Sequence, residues 1–338
     1  MEKKIKKRTA VVFTALLILV IGAFFVNILV GNVRISPQEI AEVFAGKSCN
    51  TKIINIIMTI RLPRAVMALV LGGALAVSGF LLQTYFANPI AGPYILGISS
   101  GAKMVVALTL IFFAGKIGRV SNLLLVFAAF VGAITATGFI IMISKKVRSM
   151  SALLAAGIMI GYICSAITDF LVTFADDSDI VNLHSWSQGS FSGANAEGAV
   201  FSVIIVGITF VAVVLFSKTL DAFRLGEGYA RSVGVNVKLC RIAIIILSGI
   251  LSACVTAFAG PVSFIGIAVP YLMREVLKSS KPILLIPASF LSGAVFCMLS
   301  DLLARMLFAP TEMNISAVTS LFGAPIVIFM IIRRGKSR

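Results

Sequence analysis

Apolar stretches of about 20 residues recur from one end of this 338-residue chain to the other, and a helix of that length crosses a bilayer core of roughly 30 Å. In lipid every backbone polar group must be satisfied within the protein, so repeated spans of this length fold as a helical bundle. Composition agrees: 59% of the residues are hydrophobic and 12% charged, against roughly 25% charged in a soluble domain. The chain reads as an all-α polytopic membrane protein. No linker, low-complexity tract or soluble insert interrupts it, so residues 1–338 form a single transmembrane domain.

Ten spans are expected. The first is the apolar run 10–30, preceded by Lys3, Lys4, Lys6, Lys7 and Arg8; it is longer than a signal-peptide core and no A-x-A site follows. The others are 61–82, 94–114, 121–143, 151–174, 197–217, 241–259, 262–277, 283–304 and 314–332. Residues 242–273 carry no charge, and one straight helix of that length would run about 48 Å, too long for a single crossing. Basic residues flank the run on both sides, which places both ends in the cytoplasm. The chain must therefore cross and return, with Gly260-Pro261 as the turn and Gly266 and Pro270 marking a short or broken returning helix.

Charge supports this topology. It places 20 of the 29 Lys and Arg residues and only Glu2, Asp221, Glu227 and Glu275 on the inner side, so that side carries the whole net charge of +16. Both termini are then cytoplasmic, and the basic balance gives no reason to expect nucleic acid. The five cysteines (Cys49, Cys164, Cys240, Cys254, Cys297) are scattered and suggest neither disulfides nor a metal site.

Catalytic signatures are missing. Gly46-Lys47-Ser48 ends like a phosphate-binding loop, but Ala41 stands where the first glycine belongs; Gly226-Glu227-Gly228 opens a dinucleotide motif that fails at Arg231. His184 beside Trp186 has no second ligand at metal spacing. No enzyme activity and no bound cofactor or metal is expected.

Two blocks are distinctive. One holds Arg61-Leu62-Pro63-Arg64, Gly72-Gly73-Ala74-Leu75-Ala76-Val77-Ser78-Gly79, Gln83, Asn88-Pro89-Ile90-Ala91-Gly92-Pro93 and Leu96-Gly97-Ile98-Ser99-Ser100-Gly101-Ala102. The other holds Leu225-Gly226, Ala230, Val233-Gly234-Val235, Ala259-Gly260-Pro261-Val262-Ser263-Phe264-Ile265-Gly266, Pro270, Arg274, Asp301, Ala304-Arg305 and Gly323-Ala324-Pro325. From about residue 35 to the end the chain closely resembles the FecCD-type permeases, membrane subunits of ATP-binding-cassette importers for ferric siderophores, haem and cobalamin.

The resemblance implies a ten-helix subunit pairing with a second copy or a homologous permease in the bacterial cytoplasmic membrane. It also implies two cytoplasmic ATPases, which use ATP and Mg, and an extracytoplasmic binding protein. Arg61, Arg64 and Arg305 match positions that dock that protein; by chemistry alone, arginines at span ends snorkel to headgroups. Residues 218–240, otherwise a solvated basic loop, match the coupling helices, with Leu225 and Val233 as apolar anchors, Glu227 and Arg231 fixing orientation, and Gly226, Ala230 and Gly234 in the motif. Asn88 and Ile90, with Ser149, Met150 and Ser151, match the cytoplasmic gate, Met150 standing where a small polar residue is common.

Other departures are Tyr271 after Pro270, where the family usually has His, and Met313-Asn314-Ile315-Ser316 after Glu312. The small faces Gly72/Ala76/Gly79 and Gly157/Gly161 suit close helix packing. Lys103, near mid-membrane in the third span, reads either as a structural residue, Asp169 being the nearest candidate partner, or as a cation facing an anionic cargo. The expected cargo is a ferric siderophore, then haem, then cobalamin. A secondary transporter or channel is the rival reading; it would need embedded carboxylates, and Asp169 and Asp301 both fall near span ends.

Overall fold

The computed structural model describes residues 2–47, 50–117, 121–147 and 149–335. Ser48, Cys49, Arg148, Lys336 and Arg338 lie outside the described residues, as do the side chains of Lys3, Lys4 and Arg334. The described residues fold as helices: α1 (Glu2–Leu29), α2 (Pro37–Phe44), α3 (Thr51–Asn55), α4 (Leu62–Tyr85), α5 (Ile98–Ile117), α6 (Asn122–Lys146), α7 (Met150–Val172) and α8 (Asp177–Ser187). The order continues with α9 (Ala196–Leu215), α10 (Ser217–Arg224), α11 (Glu227–Ser232), α12 (Val237–Ala259), α13 (Ile265–Leu277), α14 (Pro282–Met306) and α15 (Ile315–Gly335). Eight helices among the described residues are long and apolar enough to cross a membrane. The third and eighth expected spans correspond to α5, whose apolar part is Ile98–Phe112, and to the 13-residue α13.

The second span begins ten residues earlier than expected. A π-helical turn, Ile56–Arg61, joins α3 to α4, giving one continuous helix from Thr51 to Tyr85. Pro63 has no amide to donate to the preceding turn, and the ladder slips to the wider spacing, Leu62 N–H bonding the Ile57 carbonyl. Arg61 therefore lies inside a helix and not at its start.

That helix is the hub. α4 packs against α14, α12, α13, α9 and α1, which explains why it is apolar on every side and buried almost throughout. Small residues permit the approach: Cβ atoms on Gly72 would collide with Cys297 and the Gly293 carbonyl on α14. Ser78 donates to the Ser248 carbonyl of α12 at 2.9 Å and pairs with the Ser252 hydroxyl at 2.7 Å.

The turn expected at 260 is present, but the returning helix α13 has 13 residues and is not one of the eight helices long enough to cross. Gly260 has φ +72°, and the turn is clamped by Ser190 N–H to the Ala259 carbonyl (2.9 Å) and Ser316 Oγ to the Pro261 carbonyl (2.5 Å). Inside α13, Pro270 cannot donate to the carbonyl of Gly266 four residues back. Gln83 of α4 supplies the missing donor, its Nε2 reaching the Gly266 and Ile267 carbonyls at 3.3 and 3.0 Å.

The Gly46-Lys47 segment is a helix stop. Gly46, at φ +69°, follows α2, and the amides of Gly46 and Lys47 return to the Val43 and Glu42 carbonyls. At the other end of α2, Ser36 and Glu39 form a capping box, and the Ser36 backbone amide and hydroxyl hold the Glu39 carboxyl below its ordinary pKa. The four described cysteines are buried and unpaired.

Candidate functional site

The bundle gathers charge at two opposite ends. At one end, Arg61, Arg64 and Arg305 were expected to be exposed at outer span ends, and this premise is corrected: they are 4, 8 and 6% exposed. Arg61 donates to the carbonyls of Ile28 (2.7 Å), Leu29 (3.0 Å) and Val33, covering orphan acceptors at the end of α1. Arg64 holds buried Asp301 (Nη2–Oδ1 2.9 Å) on one side and solvent-exposed Glu312 (Nη1–Oε1 3.0 Å) on the other. Arg305, one turn beyond Asp301 on α14, donates through Nη2 to the Asn27 carbonyl and Oδ1 at 2.8 and 2.9 Å. Its Nε has no hydrogen bond and lies 3.7 Å from Asp301 Oδ2. All three guanidiniums are thus turned inward, tying α1, α4 and α14 to the loop after α14.

Asp301 and Glu312 are the residues that sequence reasoning underused. The signal for Asp301 was present: an acid four residues before Arg305 on an otherwise apolar span implies a pair on one helix face. Glu312 carried no such signal, because its partner is 248 positions away.

The opposite end holds the helix termini that the charge argument grouped together. Arg8 Nε donates to the Val276 carbonyl (2.7 Å), and Arg333 pairs with Glu275 (3.1 Å), so the start of α1 and the ends of α13 and α15 share one end. Residues 218–240 form two short helices, α10 and α11, running into α12 four residues earlier than expected. Between them Gly226 sits at φ +112°, a conformation that L side chains rarely adopt, and Gly234 has φ +84°. Ala230 is fully buried and pins α11 to the bundle, while Leu225, Tyr229 and Val233 are exposed. Tyr229 is thus exposed alongside Leu225 and Val233, the two anchors expected from sequence. Glu227 is engaged by Arg241 of α12 (Nε–Oε1 2.7 Å), so it secures α11 internally.

The two segments matched to a gate keep to their own hydrogen bonds. Asn88 Oδ1 accepts from Ile90 N–H (3.1 Å), and Ser149 caps α7 by accepting from Ala152 N–H (3.4 Å). Ile90 and Ser151 are exposed, and Met150 packs partly into the core. The α5–α7 crossing is tight because Gly97, at φ +72°, faces Gly157 and Gly161. Lys103 is half-buried on α5, and Asp169 is exposed on α7; among the described residues no ion pair joins them. One turn before Lys103, Ser99 lines a small cavity with Ser252 and Thr256. His184 is exposed on α8 beside Gln188.

The sequence matches the model of the FecCD transport family over residues 17–333. The chain belongs to the FecCD transport family. Among its relatives, the hemin transport system permease protein HmuU of Yersinia pestis is 34% identical over 292 residues, 86% of this chain and 87% of the relative. The vitamin B12 import system permease protein BtuC of Vibrio vulnificus is 33% identical over 333 residues, 98% of this chain and 96% of the relative. A solved structure of a metal-chelate type ABC transporter in an inward-facing conformation superposes with a TM-score of 0.84 at 27% identity, covering 96% of this chain and 99% of that one. The family match takes in α10, α11 and α13 of this FecCD protein, all of which lie within residues 17–333.

Proposed function

We infer that this FecCD protein is the membrane permease subunit of an ATP-binding-cassette importer, passing an iron chelate from an extracytoplasmic binding protein into a bacterial cytoplasm. The observation that carries the reading is the near full-length match to permeases of hemin and vitamin B12 systems. A ferric siderophore is the first cargo, haem the second and cobalamin the third. The path runs between two permease copies, or between this chain and a homologous permease, with both termini cytoplasmic.

Energy must come from partners, two ATPase subunits using ATP and Mg. Their docking surface is α10 and α11, where Leu225, Tyr229 and Val233 present apolar side chains to solvent on helices fixed by buried Ala230. The binding protein docks at the opposite end. Because Arg61, Arg64 and Arg305 are buried, they act there chiefly by holding the docking face in shape. Asn88, Ile90, Ser149, Met150 and Ser151 close the path on the cytoplasmic side.

The test is uptake into vesicles reconstituted with permease, ATPase and binding protein, supplied with ATP inside. ATP-dependent accumulation of a ferric siderophore supports the reading, and uptake by the permease alone on an ion gradient overturns it. In that assay Gly226→Val is expected to cut uptake at least tenfold while ATP hydrolysis continues, because a β-branched residue is strained at φ +112° and α11 must turn. Retained full uptake would remove Gly226 from coupling.

Lys103→Met tests the cargo path. A half-buried lysine without an ion pair among the described residues can offer its charge to an anionic chelate. Uptake of an anionic ferric siderophore should fall severalfold and that of a neutral cargo should not, with assembly unchanged; equal effects on both cargoes would mark Lys103 as structural.

A further inference from the structure

We propose that the cavity between α6, α11 and α12 binds the phosphate headgroup of an anionic phospholipid. The proposal rests on the reading that α10 and α11 lie at the cytoplasmic membrane face. The cavity has a volume of about 800 Å³ and is lined by Ser144 and Lys145 of α6, Glu227 and Arg231 of α11, and Lys238 and Arg241 of α12. It therefore holds four cationic side chains and one carboxylate. That carboxylate is already committed, since Glu227 Oε1 accepts from Arg241 Nε at 2.7 Å. Lys145, Arg231 and Lys238 are left facing one space with no lining acid to neutralise them, a surplus of positive charge that favours a multivalent oxygen anion.

Depth selects the source of that anion. Lys145 lies in the last turn of one span and Lys238 in the first turn of another, so their ammonium groups sit at headgroup level. Moving from the cavity toward the membrane centre, the flanking helices expose Met142 and Phe139 on α6 and Ile246 on α12. Cations at the ends of spans whose next turns expose apolar side chains fit a molecule with a phosphate at one end and acyl chains at the other. Free phosphate would leave those apolar side chains uncovered. Through Arg231 the bound lipid would also brace α11 against α6 and α12, steadying the segment that carries Tyr229 and Val233.

The experiment uses the full-length permease alone, so failure of the ATPase-coupling reading cannot be mistaken for failure of this one. Protein reconstituted in phosphatidylcholine containing phosphatidylglycerol is re-extracted and its retained lipid measured by native mass spectrometry. Wild type should retain phosphatidylglycerol in preference to phosphatidylcholine. The double variant Lys145→Gln/Lys238→Gln should bind it on the order of tenfold more weakly, and Lys145→Arg/Lys238→Arg should bind it as wild type does, which separates loss of charge from loss of fold.

Equal retention by wild type and the Gln pair would overturn the proposal. So would displacement of phosphatidylglycerol by inorganic phosphate at matched concentration, which would make the cavity a free-anion site.

Discussion

Replacing Asp301 with alanine is expected to lower the accumulation and the unfolding temperature of the permease sharply. Asp301 is 1% exposed and lies between two buried cations, accepting from Arg64 Nη2 at 2.9 Å with Arg305 Nε 3.7 Å away. Without it Arg64 keeps only Glu312, which is partly open to solvent, and Arg305 keeps only Asn27. Removing one partner of a buried pair costs about 3–5 kcal/mol, because the remaining charge is left desolvated. That is a large share of the roughly 5–15 kcal/mol by which folded domains are stable.

The cause can be isolated. Asp301→Asn/Arg305→Met removes an acid and a cation together, so it should unfold at a higher temperature than Asp301→Ala despite altering two sites. The measurement is thermal unfolding of purified protein in detergent, read from the growing reactivity of buried thiols such as Cys254 and Cys297. If the double variant melts below the single one, the network is not held by charge balance, and loss of the Arg305–Asn27 contact dominates instead.

The same network shows where the sequence was informative and where it was not. Hydropathy and basic flanks located the spans, and the uncharged run from 242 to 273 required a turn that Gly260 and Pro261 provide. The missing donor in α13 was visible as Pro270. What replaces it, the Gln83 amide on the Gly266 and Ile267 carbonyls, was not, because a hydrogen bond across 183 positions leaves no local pattern.

Arg61 shows the opposite failure. A basic residue beside an apolar run reads as a span boundary, yet the π-turn before Pro63 carries the helix back to Thr51 and turns that boundary into interior. Its partners are backbone carbonyls of α1, which have no residue identity to detect. The bend at Gly226 was easier to read, since a glycine between two short helices signals a sharp change of direction; Gly226 has φ +112°, and Leu225 and Val233 beside the two helices are exposed. The inward turn of Glu227 onto Arg241 became visible only once α11 and α12 were placed side by side.

Gly79→Ala is expected to be nearly as damaging as loss of Asp301, although it adds a single methyl group. Gly72, Ala76 and Gly79 read in sequence as one smooth face, but the structure divides them between two neighbours. Gly72 meets Gly293 and Cys297 of α14, whereas a Cβ on Gly79 would fall on the carbonyl group and Cα of Gly266 in α13. The obstruction is backbone, so no rotamer change relieves it, and α13 itself would have to move.

α13 has little freedom to do so. A Cβ on Gly266 would in turn lie 3.0 Å from the Leu75 carbonyl and 3.1 Å from Pro93 Cδ, so the approach is close from both sides. Displacing α13 would also pull the Gly266 and Ile267 carbonyls from Gln83, leaving acceptors unpaired inside the membrane. Overpacking typically costs about 1–3 kcal/mol, and each buried group left unsatisfied adds about 1–3 kcal/mol.

The control is Gly138→Ala on α6, where a Cβ meets nothing within 4 Å and helix propensity favours alanine by about 1 kcal/mol. In the thiol-reactivity melt Gly79→Ala should unfold far below wild type, and Gly138→Ala should match or exceed it. A Gly79→Ala protein that melts with wild type would show that α4 and α13 can separate without cost, and would remove close backbone packing as the reason for glycine at this position.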